Sequence, residues 1–309
     1  MSLIVPFLGE DEEGWIDALN AAGDADVRPV AALDDAARAA AKVAILGGPA
    51  AENLDALPNL EWVQQLWAGV ESNLPPTAAR GIKLARMEDP QMAETMAQSV
   101  LIAALMLTRD VPHYTRAQRA KDWAQRPLVR PQDTRIGLLG LGALGMAAAE
   151  KLTAQGFPVA GWSRTPKALE GVETFHGEDG LGQLLAQSDI LVILVPLTDG
   201  TRGLMNAARL AKLPKGAALV NFARGPIVEE AALLAALDAG HLSEAILDVF
   251  AKEPLPPENP LWTAPRVTIW PHISAPTHLG TASKIAMDRI ARWQETGALP
   301  PIVDPVRGY

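Results

Sequence analysis

Short apolar runs alternate with polar, alanine-rich stretches from the start of the chain to about residue 87. The apolar runs are 3–8, 43–46 and 60–66, and the polar stretches 10–22 and 34–41 lie between the first two. Apolar runs of this length are typical of strands, whereas the longer polar stretches suit helices. The alternation therefore predicts an α/β unit in the first part of the chain.

A helical pattern follows from residue 89 to residue 126. Its apolar positions recur on one helical face at Met92, Met96, Val100 and Ala103. Spacings of three and four residues are typical of an amphipathic helix, and Pro127 and Pro131 break the pattern. We therefore predict a long connecting helix or a helix pair.

A second α/β series begins at Arg135. Its strand candidates are 135–139, 159–162, 190–195, 218–222, 245–249 and 267–270. Helix-compatible stretches of roughly ten to fifteen residues between the first five suit parallel crossovers. The run 190–195 is apolar without alternation, as expected for a strand covered on both faces. These features predict a doubly wound sheet, followed by a helix over 279–296 that we expect to return to the first domain.

A glycine-rich turn follows the first strand of this second series. Its glycines, at positions 140, 142 and 145, have the spacing G-x-G-x-x-G. Gly140 permits a tight turn, Gly142 lets backbone amides approach a pyrophosphate, and Gly145 lets the helix lie close to the strand. The motif alone is weak evidence, but a strand precedes it and a helix and a further strand follow. We predict a dinucleotide site at Gly140, Gly142, Ala143, Leu144 and Gly145.

The end of the next strand indicates which dinucleotide binds. Ser163 stands where an NAD-binding protein places an acid, and Arg164 and Lys167 follow it. A carboxylate there would repel a 2′-phosphate, whereas Arg164 can bind it with a planar fork and Lys167 adds a positive charge. These residues predict NADP(H) rather than NAD(H). The alternative is that Arg164 and Lys167 are ordinary surface charges.

The two series together predict an α/β protein of two doubly wound parallel-sheet domains. The chain has 309 residues, of which 49% are hydrophobic, and this suffices for two cores. We assign residues 95–278 to an NADP-binding Rossmann domain. Residues 1–94, completed by 279–309, are assigned to a smaller, flavodoxin-like substrate domain.

Three side chains with complementary chemistry follow three separate late strands. Arg224 follows the fourth strand, Glu253 the fifth and His272 the sixth. Ligands bind at the carboxyl ends of such strands, so we expect these side chains to lie close together. Hydride transfer to a 2-keto acid requires a cation for the carboxylate and a proton donor that is held charged. Each residue alone would most often be a surface or loop residue, but the three together predict a catalytic site.

Several segments resemble the signature segments of D-2-hydroxyacid dehydrogenases. These segments are 221–225, 248–256, the surroundings of His272, and 195–206. With its length and its Arg164 and Lys167, the chain is most similar to the glyoxylate/hydroxypyruvate reductase A branch of that family. In the first domain the resemblance is carried mainly by 67–71, which looks like the family's substrate-carboxylate loop.

The resemblance implies a role for each of these residues. Arg224 would bind the substrate carboxylate and carbonyl oxygen, His272 would donate the proton, and Glu253 would pair with His272. A nearby carboxylate favours the imidazolium and so keeps an acid available near neutral pH. Asp248 would hold the nicotinamide carboxamide. Further contacts are implied for the cofactor at Pro196, Thr201 and Ala223, and for the substrate at Trp67, Ala68, Gly69 and Val70.

The expected substrate contacts of the first domain differ in kind. The backbone amides of Gly69 and Val70 would receive the substrate carboxylate. The indole of Trp67 would either narrow the pocket in favour of short acids or serve as a buried packing aromatic.

Composition excludes several functional classes. The net charge of -9 argues against the basic surface that nucleic-acid binders need. The chain has no cysteine, which excludes disulfides, thiolate catalysis and cysteine metal sites, and we predict no metal. The longest apolar stretch, 100–108, is too short to span a membrane, and the first apolar run has no basic leader. We expect a cytoplasmic protein that binds neither nucleic acid nor membranes.

We therefore predict an NADPH-dependent reductase that converts glyoxylate to glycolate and hydroxypyruvate to D-glycerate. The family also implies a homodimer, with residues 89–126 as the dimer arm. One alternative is a dehydrogenase for a larger 2-keto acid of the phenylpyruvate type. Residues 64–74 hold no arginine or lysine, which argues against a phosphorylated substrate. Another alternative is a non-catalytic, dinucleotide-sensing protein that resembles a corepressor.

Overall fold

The computed structural model describes residues 3–9, 14–49 and 51–308, without the side chains of residues 51 and 52. Residues 10–13 of the first predicted helical stretch lie outside this part. The strands are β1 (Ile4–Gly9), β2 (Asp26–Pro29), β3 (Val43–Gly47), β4 (Trp62–Gln65), β5 (Lys83–Ala85), β6 (Ile136–Leu139), β7 (Val159–Ser163), β8 (Glu173–His176), β9 (Ile190–Ile193), β10 (Ala217–Asn221), β11 (Leu242–Leu247) and β12 (Val267–Ile269). The helices are α1 (Trp15–Ala22), α2 (Asp35–Ala40), α3 (Leu74–Ala79), α4 (Pro90–Thr108), α5 (Val111–Ala120), α6 (Ala143–Ala154), α7 (Gly177–Ala186), α8 (Ala207–Leu210), α9 (Glu230–Asp238) and α10 (Leu279–Thr296).

The chain divides into two compact units. One contains Met1–Met92 and Thr277–Tyr309, and the other contains Ala93–Pro276. The predicted domain boundaries after residues 94 and 278 lie close to these divisions and stay a prediction.

Short 3-10 helices lie at Val30–Ala32, Ala51–Ala56, Pro131–Asp133, Gly225–Ile227 and Pro260–Trp262.

The first unit contains a parallel sheet of five strands among its described residues, in the order β2-β1-β3-β4-β5. This is the flavodoxin-like order. Strands β1, β3 and β4 correspond to the three predicted apolar runs. Strands β2 and β5 were not predicted, because each is short, lies at an edge and exposes part of its surface. Helix α10 has the predicted bounds, and its buried residues Ala286, Met287 and Ile290 join the core formed by β1, β3 and β4.

The second unit contains a parallel sheet of seven strands among its described residues, in the order β12-β11-β10-β9-β6-β7-β8. The order reverses at β6, as in a Rossmann fold. The six predicted strands are all present, with bounds that differ by up to three residues. The seventh, β8, was not predicted, because this partly exposed edge strand has the sequence ETFH and no apolar run.

Two hydrophobic clusters cover the two faces of the second sheet. Along β9, Leu191 and Ile193 belong to one cluster, while Ile190 and Val192 belong to the other. The non-alternating apolar pattern of this strand is thus explained by burial on both faces. Strand β9 ends at Ile193, two residues before the predicted end, and the chain then passes the glycine turn after β6.

The predicted helix pair is present as α4 and α5. Asp110, at φ +53°, lies between the two helices, and Lys121, at φ +57°, ends α5 before the prolines that were expected to end it. On α4, Met96, Val100 and Ala103 are buried in the cluster that also contains residues of β6. No helix in the described ranges is both long and apolar enough to cross a membrane.

Candidate active site

The turn after β6 is packed too closely for side chains at two of its three glycines. Gly140 has φ +119°, and a Cβ atom there would lie 2.8 Å from the carbonyl carbon of Leu194. A Cβ atom on Gly145 would lie 1.9 Å from the carbonyl oxygen of Gly140. Helix α6 can therefore begin directly above the turn only because both positions are glycine.

Gly142 differs from the other two glycines because it faces open space. A Cβ atom on Gly142 would meet no described atom within 4 Å. Gly142 is the N-cap of α6, and no side chain in the described part of the chain caps this helix. Among the described residues, no capping side chain therefore covers the first-turn amides, which include those of Ala143 and Leu144. The helix dipole favours an anion beside these amides. This arrangement fits the pyrophosphate of a dinucleotide.

The end of β7 brings positive charge to the glycine turn. Ser163 is buried, and its Oγ donates a hydrogen bond to the carbonyl oxygen of Thr165 at 2.7 Å. Arg164 and Lys167 are exposed. The Nζ atom of Lys167 donates to the carbonyl oxygen of Leu141, inside the glycine turn, at 2.6 Å. A group bound at the turn would therefore meet the ammonium of Lys167, and the donors present suit a phosphate.

The loop after β9 is closed by a threonine hydroxyl. Thr201 Oγ1 donates to the carbonyl oxygen of Pro196 at 2.6 Å and accepts a hydrogen bond from the Thr198 amide at 2.8 Å. The hydroxyl of Thr201 thus holds the backbone at Pro196, and the cofactor contacts expected of both residues stay predictions.

Arg224 lies in a turn that Asn221 holds from inside the sheet. Asn221 is fully buried at the end of β10, where its Nδ2 donates to the Arg224 carbonyl oxygen at 3.0 Å and its Oδ1 accepts from the Ala223 amide at 3.1 Å. Arg224 is half-buried, and its Nη1 donates to the Ala223 carbonyl oxygen at 2.7 Å. A Cβ atom on Gly225 would lie 2.0 Å from the carbonyl carbon of Phe250. The Arg224 turn therefore rests directly on the segment that leads to Glu253.

Glu253 and His272 form a hydrogen-bonded pair. His272 Nδ1 lies 2.6 Å from Glu253 Oε2, and Glu253 Oε1 accepts a hydrogen bond from the Phe250 amide at 2.8 Å. Within the described residues, Nε2 of His272 has no hydrogen-bond partner, and the side chain is 51% exposed. One ring nitrogen is thus held by the carboxylate while the other can reach a substrate atom.

The contact between the two side chains raises the pKa of His272 and lowers that of Glu253. The hydrogen bond to Glu253 raises the pKa of His272 above its usual value, although burial and the charge of Arg224 oppose this change. Burial alone would raise the pKa of Glu253, but the hydrogen bonds from His272 and from the Phe250 amide lower it further than burial raises it. Near neutral pH this arrangement favours a protonated His272 beside an ionised Glu253.

Asp248 lies at the end of β11 and is fully buried. Its Oδ1 accepts a hydrogen bond from the Ile273 amide at 2.7 Å, and its Oδ2 accepts one from the Ser274 amide at 3.1 Å. The carboxylate thus contacts the segment that follows His272. Its predicted contact with a nicotinamide carboxamide stays a prediction.

The loop after β4, in the first unit, is held by two buried amide side chains. Nε2 of Gln65 donates to the carbonyl oxygen of Trp67 at 3.0 Å and also to that of Gly69. Asn73 Nδ2 donates to Gln65 Oε1 at 2.9 Å. Trp67 is partly buried, with its ring centroid 6.1 Å from that of Trp15. Gln65 thus holds the carbonyl oxygens of Trp67 and Gly69, and the contact expected between the Val70 amide and a substrate carboxylate stays a prediction.

Five residues that hold the site were not assigned a role from sequence. They are Gln65, Asn73, Asn221, Gly225 and Ser274. The available signal was their position, because Gln65 and Asn221 are polar residues at the ends of buried strands. A polar side chain at such an end must find a partner, and the nearest groups are those of the following loop.

Comparison with known proteins identifies the family. Residues 101–274 match the model of the D-isomer specific 2-hydroxyacid dehydrogenase, NAD binding domain. A D-isomer specific 2-hydroxyacid dehydrogenase from Xanthobacter autotrophicus Py2, crystallised with NADPH and MES, is 42% identical, with a TM-score of 0.93 and 100% coverage of both chains. The NADPH-dependent glyoxylate/hydroxypyruvate reductase SmGhrA from Sinorhizobium meliloti, in complex with NADP and sulfate, is 32% identical, with a TM-score of 0.91 and 100% coverage of both chains.

A third solved structure extends this agreement. A D-isomer specific 2-hydroxyacid dehydrogenase family protein from Klebsiella pneumoniae 342 is 32% identical, with a TM-score of 0.90 and 99% coverage of both chains. The matches extend over both units and confirm the predicted fold of two parallel-sheet α/β domains, one of them a Rossmann domain. The chain belongs to the D-isomer specific 2-hydroxyacid dehydrogenase family.

Proposed function

We propose that this 2-hydroxyacid dehydrogenase is an NADPH-dependent reductase of small 2-keto acids, which converts glyoxylate to glycolate and hydroxypyruvate to D-glycerate. The observation that carries the proposal is the pairing of His272 Nδ1 with Glu253 Oε2 at 2.6 Å, next to the Arg224 turn. This arrangement supplies a proton donor and a cation, the two groups that reduction of a 2-keto acid requires. The similarity to the reductase from Sinorhizobium meliloti supports the choice of substrates.

Each member of the catalytic group has a distinct task. When bound, NADPH supplies the hydride that reaches the carbonyl carbon of the keto acid. His272 donates the proton on Nε2 to the carbonyl oxygen and becomes a neutral imidazole. Glu253 holds Nδ1–H and stabilises the imidazolium before the transfer. Arg224 binds the substrate carboxylate and polarises the carbonyl oxygen with its planar guanidinium.

The proposed cofactor site uses the open glycine turn and the cations beside it. The amides at Gly142, Ala143 and Leu144 would hold the pyrophosphate, and Arg164 with Lys167 would hold the 2′-phosphate. The support for Lys167 is its hydrogen bond to the Leu141 carbonyl oxygen, which keeps its ammonium at the turn. The complexes of related proteins with NADPH and NADP support the same choice of cofactor.

The proposed contact of the first unit with the substrate is made by backbone amides. Gln65 binds the carbonyl oxygens of Trp67 and Gly69 and so holds the loop from which the amides of Gly69 and Val70 would donate to the carboxylate. Ala68 and Trp67 complete the loop, and the indole would limit the length of the acid.

A steady-state assay tests the proposal. The initial rate of reduced-cofactor oxidation is measured with hydroxypyruvate, glyoxylate and phenylpyruvate, each with NADPH and with NADH. The proposal expects turnover of the two short acids with NADPH and a fall in kcat/KM of about 10²–10³-fold in Arg224→Ala, because a charged donor to the reacting group is lost. Arg292→Ala, an exposed arginine on α10, is the control and should keep the wild-type rate.

Two outcomes would contradict the proposal. Preferred turnover of phenylpyruvate would move the enzyme to larger 2-keto acids. Cofactor binding without turnover of any 2-keto acid would favour the dinucleotide-sensing protein.

We further propose that the protein is a homodimer. The helix pair and the segment after it expose large apolar side chains, which are Ile102, Leu105, Val111, Tyr114, Trp123, Leu128 and Val129. Trp123 is 90% exposed. Exposed large apolar side chains in this part of the chain support an interaction surface, and a second copy of the chain is the proposed occupant. Sedimentation equilibrium should show a dimer that Trp123→Ser with Leu128→Ser converts to a monomer, and a monomeric wild type would contradict this.

A further inference from the structure

His272 has a backbone conformation that few residues other than glycine adopt. Its φ is +56°, in the left-handed region. The His272 amide donates to the carbonyl oxygen of Asp248 at 2.9 Å and to that of Trp270 at 3.1 Å. Such a conformation persists only where the surrounding structure holds it. The groups that hold this turn therefore decide where the imidazole lies.

The main anchor of the turn is the carboxylate of Asp248. It is fully buried and accepts three hydrogen bonds from the two residues after His272. Two come from the amides of Ile273 and Ser274, and the third comes from Ser274 Oγ at 2.5 Å. A buried carboxylate is tolerated only with such donors, and hydrogen bonds to a charged acceptor are stronger than neutral ones.

Ser99, on α4, provides a second anchor. Its Oγ donates to the carbonyl oxygen of Ser274 at 2.6 Å, and both serines are buried. Ser274 is thus held at its amide, its hydroxyl and its carbonyl oxygen. Helix α4 is packed on the sheet through Met96 and Val100, on either side of Ser99. The turn is thereby fastened both to the end of β11 and to a packed helix.

We propose that Asp248, Ser274 and Ser99 are positioning residues that hold the left-handed turn at His272, so that Nδ1 meets Glu253 and Nε2 faces the substrate carbonyl. The inference rests on the proposed function, in which His272 is the proton donor. It gives Asp248 a task besides the carboxamide contact implied by family resemblance, because its carboxylate accepts three hydrogen bonds from the turn.

The electrostatics of the group point the same way. Glu253 raises the pKa of His272 through its hydrogen bond, Arg224 lowers it, and the negative charge of Asp248 raises it. When the turn loosens, the imidazole moves away from Glu253. It then loses the hydrogen bond that does most to stabilise its protonated form. The pKa of His272 should then fall.

Ser274→Ala and Ser99→Ala test this proposal, with Ser283→Ala as the matched control. Ser283 is also a buried serine, but its Oγ has no hydrogen-bond partner in the described part of the chain. In Ser274→Ala we expect kcat for hydroxypyruvate to fall about tenfold, since a hydrogen bond to a charged group is lost. The descending limb of the pH profile should move to lower pH, and the Kd for NADPH should stay within about twofold. Ser99→Ala should show a smaller change of the same kind, and Ser283→Ala none.

Asp248→Asn separates the two tasks of this residue. An asparagine can accept from only one of the two amides, because its NH₂ group would face the other donor. A positioning task predicts a lower kcat and a shifted pH profile with NADPH affinity retained. Wild-type pH profiles in both Ser274→Ala and Asp248→Asn, together with weakened NADPH binding in Asp248→Asn, would overturn the proposal in favour of the carboxamide contact.

A measurement without turnover keeps this proposal separate from the proposed function. The pKa of His272 is followed by NMR of its Cε1–H signal, assigned by comparison with His272→Gln. A lower pKa in Ser274→Ala than in the wild type and Ser283→Ala supports the positioning task even if no 2-keto acid is reduced. An unchanged pKa in folded Ser274→Ala overturns it, even if the wild type is an active reductase.

Discussion

His272 Nδ1 lies 2.6 Å from Glu253 Oε2, although nineteen positions separate the two residues along the chain. The contact arises because Glu253 follows β11 and His272 follows β12, and these strands are neighbours in a parallel sheet. The carboxyl ends of neighbouring parallel strands lie at the same edge, where open α/β sheets bind ligands. The strand order thus places a half-exposed imidazole and its carboxylate partner together at this edge.

Glu253→Gln should move the pH dependence of reduction to lower pH. The hydrogen bond to Glu253 raises the pKa of His272, so the wild-type histidine stays protonated to higher pH than a free histidine does. Reduction needs the protonated form, and kcat/KM should therefore fall as pH rises through this raised pKa. Without the carboxylate, the fall should begin at lower pH. Profiles of kcat/KM against pH check this, with exposed Glu258→Gln as the control, and superimposable wild-type and Glu253→Gln profiles would contradict it.

Removal of the cations after β7 should weaken NADPH selectively. In Arg164→Ala with Lys167→Ala, the KM for NADPH should rise about 10–100-fold, because charge-assisted hydrogen bonds to the 2′-phosphate are lost. NADH lacks this phosphate, so its KM is an internal control and should change little. Equal losses with both cofactors would show that these residues do not bind the 2′-phosphate.

The glycine turn offers a matched pair of alanine substitutions. Gly145→Ala should lower the free energy of unfolding by about 1–3 kcal/mol, because its Cβ would overlap the Gly140 carbonyl oxygen. Gly142→Ala meets no described atom, so it should fold with a nearly normal Tm yet bind NADPH more weakly. Thermal unfolding and NADPH titration of both variants check the pair. Unimpaired NADPH binding in Gly142→Ala would argue against pyrophosphate at this position.

The loop after β4 should depend on Gln65. Gln65→Met keeps the size of the side chain but removes the hydrogen bonds to the Trp67 and Gly69 carbonyl oxygens. The KM for the keto acid should then rise about tenfold, with a smaller change in kcat, because the loop amides are no longer held toward a carboxylate. Gln64→Met is the control, since Gln64 is equally buried and its Nε2 contacts no residue of the loop. Equal effects of the two substitutions would indicate general destabilisation.

The sequence predicted the central strands and the edge strand β12, but not the edge strands β2, β5 and β8. Strands such as β9 bury both faces and leave an uninterrupted apolar run, which is a strong local signal. At the edges, β2 and β8 expose polar side chains such as Arg28 and Glu173, and their pairing depends on neighbours that are distant in sequence. Edge strands without an apolar run are set by tertiary context more than by local pattern.

The same distinction applies to the site. Arg224, Glu253 and His272 could be found because each has a recognisable chemistry directly after a strand. Ser274 and Ser99, which hold the His272 turn, could not, because their partners are far away in the chain. Ser99 contacts Ser274 across 175 positions, and a serine inside an apolar helix carries no local sign of this. The cofactor turn could be predicted in detail because the close approach of helix and strand requires glycine at these spacings.

The most direct test of His272 as the proton donor is the reduction of hydroxypyruvate by NADPH in His272→Gln. Glutamine keeps a polar side chain but cannot donate a proton to the carbonyl oxygen as an acid, so kcat should fall by about 10²–10⁴-fold. Titration should show that the variant still binds NADPH with wild-type affinity, since the glycine turn and β7 are unchanged. A His272→Gln variant that retains the wild-type kcat would contradict the assignment of His272 as the proton donor.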